Sequence, residues 1–294
     1  MERIPFSQVL KNASIDIRRE YDRLYGMFFL QKLQVDQTRY ITLRDYCAEN
    51  FAQFIFRGTC ISLDDFDDFY GYHFEKVPSS FDVDYLISFC EYSYNIAIHN
   101  QGVGYAGYGL FNAFNMSQPL QFYLQQVLAV VDTVGYMPNA QDNITDFVPK
   151  DQATISVAEI VDASLSYKVI EYNHHSMKGN LERKKSVLLV LADKLEPQRV
   201  KLKQINSSLE SDLFYLLNSV NIRHNNADKN GKNYIPLVAA MKESEIEQWY
   251  DDTYQMCLLA FLELDHADRK TRVIQLKKDT QSKLRTTDWI RRKR

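Results

Sequence analysis

Apolar positions recur at intervals of three and four along most of this chain, the period of one face of an α-helix. The pattern is cleanest in the C-terminal half. Val157, Ile160, Val161, Leu165, Val169 and Tyr172 line one face, and after a break at Gly179, Leu181, Leu188, Leu191 and Leu195 line the next. Pro197 fits the first turn of a third helix, where its missing N–H costs nothing. Leu202, Ile205, Leu209, Leu213, Leu216 and Val220 continue that helix at spacings of 3, 4, 4, 3 and 4. A fourth helix starts at Ser244, with Glu247 three residues later completing a capping box. It carries Ile246, Trp249, Tyr250, Thr253, Cys257, Ala260, Phe261 and Leu264 as an apolar stripe. Four such helices with short joints predict a bundle.

The N-terminal half reads as helical too. Leu24, Phe28 and Leu30 feed a core, and 42–56 forms a helix through Leu43, Tyr46, Cys47, Phe51, Phe54 and Ile55. The acidic aromatic run from Leu63 to Tyr70 reads as a solvated loop anchored by Phe66 and Phe69, since its aspartates lack calcium-loop spacing. Helices are predicted over 82–98 and 121–134. From 135 to 153, Gly135, Pro138, Asn139, Asp142, Asn143 and Pro149 punctuate a short apolar run, which predicts a β-hairpin or an extended connector. The expected fold class is therefore all-α with a short β-hairpin. A helical N-terminal domain spans 1–134, a connector 135–153, a helical bundle 154–268 and a tail 269–294.

Composition narrows the class of protein. Hydrophobic residues at 45% and charged residues at 25% give the balance of a soluble globular protein. The 19 Tyr and 17 Phe against 10 Gly and 7 Pro favour thick aromatic packing between helices. No uncharged apolar run is long enough to span a bilayer, so no membrane partner is expected. The segment Met1-Glu2-Arg3-Ile4-Pro5 lacks the apolar stretch of a signal peptide. Four cysteines without paired spacing fit a reducing, cytoplasmic setting. Charge is divided unevenly. Residues 269–294 hold eleven Lys or Arg and two Asp, a charge of +9, which leaves −12 for the rest of a chain whose net charge is −3. Such a tail suits phosphates, an acidic surface of another subunit, or simple solvation.

The chemistry-bearing stretch is Asn221-Ile222-Arg223-His224-Asn225-Asn226, at the exit of the third bundle helix. Cleavage of RNA through its 2′-hydroxyl needs a proton acceptor and a cation facing the phosphorane. A neutral imidazole, with an ordinary pKa of about 6.5, suits the first role. A guanidinium fork suits the second. The plainer reading is a polar helix exit, with Arg223 and His224 bonding the last carbonyls and Asn225 in a left-handed conformation. His174-His175 ends the first bundle helix and offers further imidazoles. Gly102-Val103-Gly104-Tyr105-Ala106-Gly107 spells a dinucleotide fingerprint, but the residues before it have a helical period rather than that of a buried strand. No cofactor or metal is expected.

A long helix ending in Ile222-Arg223-His224-Asn225-Asn226, then a polar loop and a final helix, resembles the C-terminal HEPN-like bundles of bacterial abortive-infection proteins. The resemblance covers residues 154–268. It is carried by Leu213 to His224, and its specific part is Arg223 to Asn226. In that family the bundles commonly dimerise. Nuclease members cut RNA without metal, using an Arg followed by a polar residue and a His several positions later. Arg223 and His224 match the first two. Asp228, Lys229 and Asn230 occupy the positions where the later His falls, so either His224 supplies the imidazole from an altered position or the bundle is catalytically dead and only binds. The resemblance implies Arg223 and His224 as catalytic residues; beside them Asn225, Asn226, His174 and His175 are read as binding substrate. It implies a phage-defence or toxin-type effector that binds or cleaves RNA as a homodimer or with a partner protein. The alternative is a non-enzymatic interaction module, in which the acidic body and basic tail organise a larger assembly.

Overall fold

The computed structural model describes residues 15–35, 37–100 and 116–292; the glycine fingerprint at 102–107 lies outside them. The chain is mostly α-helical, with two short antiparallel hairpins. It divides into two compact units, Met1–Pro149 and Lys150–Arg294, each with its own apolar core.

In the first unit, helix α1 (Ile17–Tyr25) runs into a π-turn, Gly26–Leu30, and a minimal hairpin, β1 (Leu33–Gln34) with β2 (Tyr40–Ile41), leads into α2 (Leu43–Glu49). The helix expected over 42–56 stops early. Asn50 turns its side chain back onto the Tyr46 carbonyl at 2.8 Å, a short 3-10 turn follows at Phe51–Gln53, and Ile55, expected in the core, is left 65% exposed. The acidic aromatic run is not a loop but helix α3 (Leu63–Tyr70), capped by Ser62. Phe66 is buried and Phe69 lies in solvent. Asp67 enters the core because Arg44 Nη2 lies 2.7 Å away and the Tyr92 hydroxyl donates to it at 3.0 Å. Burial raises the Asp67 carboxyl above its usual range, and the Arg44 and Tyr92 hydrogen bonds oppose that rise.

Helices α4 (Val83–Ile98) and α5 (Ser117–Thr133) complete this core with Leu86, Phe89, Tyr123 and Val127. Gly135, at φ 84°, makes the left-handed turn into β3 (Tyr136–Gln141). The pairing of β3 with β4 (Ile144–Pro149) closes on Asp142 and Asn143, both at positive φ, as a two-residue hairpin requires. This hairpin is part of the first unit. Asn95 of α4 exchanges hydrogen bonds with Thr145, and Phe147 is fully buried in the core.

In the second unit the first expected helix is two, α6 (Gln152–Ala158) and α7 (Ala163–Glu171), with Asp162 capping the latter. Helix α8 (Leu181–Leu195) matches its pattern. The third expected helix is broken into a 3-10 turn at Glu196–Gln198, α9 (Arg199–Ile205) and α10 (Ser207–Ser219). The break falls at Asn206, whose side chain accepts from Leu209 N–H at 3.1 Å and starts α10 afresh. After α11 (Pro236–Ala239), α12 runs from Glu243 to Arg292, about 75 Å at 1.5 Å per residue. Its start is not a Ser244–Glu247 box. Glu245 accepts from Lys242 N–H at 2.8 Å, and Glu247 instead faces Lys184 of α8 at 2.8 Å and accepts from Gly179 N–H at 2.7 Å. Residues 269–292 are not a separate tail. They continue α12, and residues 268–281 are all exposed.

Candidate functional site

The exit of α10 is built by one asparagine in an unusual backbone state and another buried beneath it. Asn221 takes a left-handed φ of 65°, a conformation that Asn tolerates better than most residues. The chain then doubles back, and Arg223 N–H donates to the Leu217 carbonyl at 3.0 Å. The left-handed residue is thus Asn221, four positions before the Asn225 assigned that role from sequence. Tyr250 of α12 ties the turn down by donating to the Asn221 carbonyl at 3.2 Å.

Asn226 is 1% exposed. Its Oδ1 accepts from Asn221 N–H at 2.8 Å, and its Nδ2 donates to the carbonyls of Asn218 (3.1 Å) and Asn233 (2.8 Å). Its own carbonyl accepts from Ile235 N–H at 2.8 Å. Both amide donors are spent on the loop, so Asn226 is a clasp between the end of α10 and the start of α11, not a substrate contact. His224 and Asn225 are exposed.

Arg223 turns inward. Its guanidinium lies 5.4 Å from the centre of the buried Phe214 ring and donates to the Ala192 carbonyl at 3.4 Å, near the end of α8. It pairs with Glu196 at 2.6 Å, and the Arg223 side chain is 19% exposed against 45% for Glu196. Arg199 packs on the same Phe214 ring at 4.3 Å. It contacts the buried Glu210 at 2.5 Å and Glu196 at 3.7 Å. Glu196, Arg199, Glu210 and Phe214 are therefore parts of the Arg223 environment that sequence reading missed. Glu196 and Arg199 bracket the flagged Pro197, but spacing within one segment does not reveal contact with Arg223. Beneath the site, burial pushes the Cys257 thiol up to about 12 against the opposing pull of Arg223. All four cysteines are free and buried.

The other flagged imidazoles are not gathered here. His174 caps a 3-10 turn, with its Nδ1 accepting from Ser176 N–H at 3.2 Å. The Ser176 hydroxyl accepts from Arg183, near the start of α8, at 3.1 Å. Arg183 and Ala192, which serve the two groups, stand about 14 Å apart along the helix axis. The His174 and His175 ring centres are 4.3 Å apart.

His174 also lines a cavity of about 200 Å³ with Tyr172, Asn173, Lys184, Asp251 and Gln255. Lys184 is 5% exposed and bridges Glu247 (2.8 Å) and Asp251 (2.7 Å). Tyr172 donates to Asp251 at 2.9 Å and stacks on Tyr254 at 4.0 Å. These groups satisfy one another and lock α7, α8 and α12 together.

The chain matches no protein-family model, and no curated protein or solved structure shows significant similarity to it. No helix among the described residues is long and apolar enough to cross a membrane.

Proposed function

We propose that the protein is an RNA-binding effector of the phage-defence or toxin type, which holds a backbone phosphate at Arg223 and uses His224 as the adjoining proton acceptor. The observation that carries this reading is the pairing of an anchored cation with a free-standing imidazole. Phe214 and the Ala192 carbonyl fix the Arg223 guanidinium, while His224, the next residue, is exposed to solvent. A guanidinium held in place before the ligand arrives loses little freedom when it binds a phosphate. Successive side chains diverge, so one copy brings the two groups to a single phosphate less readily than two copies facing each other; the reading therefore includes a homodimer. It includes no metal.

The test is incubation of purified protein with single-stranded RNA in the presence of a chelator, followed by analysis of the product ends. Attack by the 2′-hydroxyl leaves a 2′,3′-cyclic phosphate on one fragment and a 5′-hydroxyl on the other. Those ends support the reading. Intact RNA, or cleavage only when metal is restored, removes the nuclease.

One observation favours a second reading. From residue 268 to 281 every residue of α12 is exposed, its cations Arg269, Lys270, Arg272, Lys277 and Lys278 among them, as in an arm of a non-enzymatic interaction module. Unchanged RNA together with salt-sensitive self-association or partner capture through α12 would select it.

A further inference from the structure

Two guanidiniums from different segments converge on one carboxylate. Arg199 opens α9, and Arg223 follows α10. Both pack on Phe214, at 4.3 and 5.4 Å, and both reach Glu196, at 3.7 and 2.6 Å through different oxygens. The two carboxylates of the cluster differ in how firmly they are held. Glu210 is 4% exposed and binds Arg199 Nε at 2.5 Å, so it belongs to the framework. Glu196 is 45% exposed, and among the described residues its carboxylate pairs with the two arginines alone.

An exposed ion pair is weak, and a carboxylate on a solvent-facing side chain can swing away. A singly charged phosphodiester placed between the same forks restores the local charge balance, because it supplies the unit of negative charge that Glu196 takes with it. Arginine forks match phosphate oxygens in shape as well as charge.

We infer that Arg199 and Arg223 form a two-guanidinium phosphate clamp in which Glu196 occupies the ligand's place and acts as a displaceable internal competitor. This rests on the RNA reading of Arg223. It adds Arg199 as a second binding residue and Glu196 as the group that sets affinity. Its ligand class is a phosphodiester of a nucleic-acid backbone, and nothing in it requires that the bound strand be cut.

The probe is a fluorescent 2′-O-methyl oligoribonucleotide, which carries the phosphodiesters and has no 2′-hydroxyl for cleavage. Binding to the full chain is followed by anisotropy. Glu196→Gln is expected to tighten binding about fivefold, the scale of one exposed ion pair, relative to Asp193→Asn, which removes an equal charge from a nearby exposed position. Arg223→Lys keeps the charge but loses the fork, and is expected to weaken binding. Arg199→Ala is made together with Glu210→Gln, so that no buried carboxylate is stranded, and is expected to abolish the gain from Glu196→Gln. Equal binding by Glu196→Gln and Asp193→Asn, full binding without Arg199, or no binding by any form overturns the clamp. If the clamp holds while native RNA stays intact, only the cleavage reading fails. If native RNA is cut with no effect of Glu196 or Arg199, only the clamp fails.

Discussion

Asn226 shows how far a residue's role depends on where its neighbours fold. In the sequence it is one of two adjacent amides beside an Arg and a His, and nothing separates it from Asn225. In the structure one is exposed and the other is clamped by three hydrogen bonds to backbone groups. Asn226→Ala strands the Asn218 and Asn233 carbonyls and the Asn221 N–H. It is expected to cost about 2–3 kcal/mol, at about 1 kcal/mol or more for each buried group left unpaired, and to remove hydrogen-exchange protection from the Asn221 amide. A variant that keeps this protection would show that the loop is held by other contacts. Arg44 and Asp67 are a second case, because an acidic run that reads as solvated turns one carboxylate into the core to meet a cation from α2. Arg44→Met is expected to destabilise the protein by about 3–5 kcal/mol by leaving a buried charge alone, and adding Asp67→Leu to recover much of that loss. Thermal unfolding of the single and double variants checks the sign and the recovery.

At the level of elements, apolar spacing located the helices well and their breaks poorly. The stripe through Leu202, Leu209 and Leu213 faces the core on either side of the Asn206 cap, and only Ile205, next to the break, is left exposed. A periodicity of buried residues carries no mark of one residue at φ −148°. The opposite happens in α12, where the stripe ends near Leu264 but the helix does not, since Lys, Arg, Gln and Leu favour helix without any core to face. Removing everything after Asp268 is expected to lower the helical far-UV signal while moving the melting temperature by no more than about 1–2 °C, because residues 269–281 are all exposed. A large fall in that temperature would mean that the arm is packed. Ion pairs between elements set the acid limit. Glu247 is held below the usual glutamate range by Lys184 and then by Gly179 N–H. At Glu171 burial pushes upward, but the Lys168 and Arg183 hydrogen bonds outweigh it and the net shift is downward. A depressed carboxyl contributes stability above its unfolded value, and that contribution is lost as pH falls through the folded value. Stability is therefore expected to hold above about pH 4.5, the ordinary glutamate value, and to fall below it, with Glu247→Gln flattening the decline. Unfolding curves at stepped pH measure this directly.

Over the whole molecule, the hairpin at 136–149 was legible because its turn residues, Asp142 and Asn143, carry their conformational preference locally. Its membership in the first unit was not, because that depends on Asn95 meeting Thr145 and on Phe147 entering the core from a distant part of the chain. The same limit applies to the candidate site. Arg223 and His224 stood out as residue types at a helix exit, whereas Glu196, Arg199 and Phe214 become part of the site only once α8, α9 and α10 are packed together. The charge division was fully legible, and the structure shows that the basic segment continues α12 as helix through Arg292. The proposed activity lies in the second unit, on one anchored guanidinium and one exposed ring carried by successive residues. The most direct test is the rate of degradation of single-stranded RNA by wild type, Arg223→Ala and His224→Ala under chelating conditions. Cleavage by wild type with a loss of about 10²-fold or more in each variant is the predicted result; no cleavage by wild type, or equal rates in all three, would contradict it.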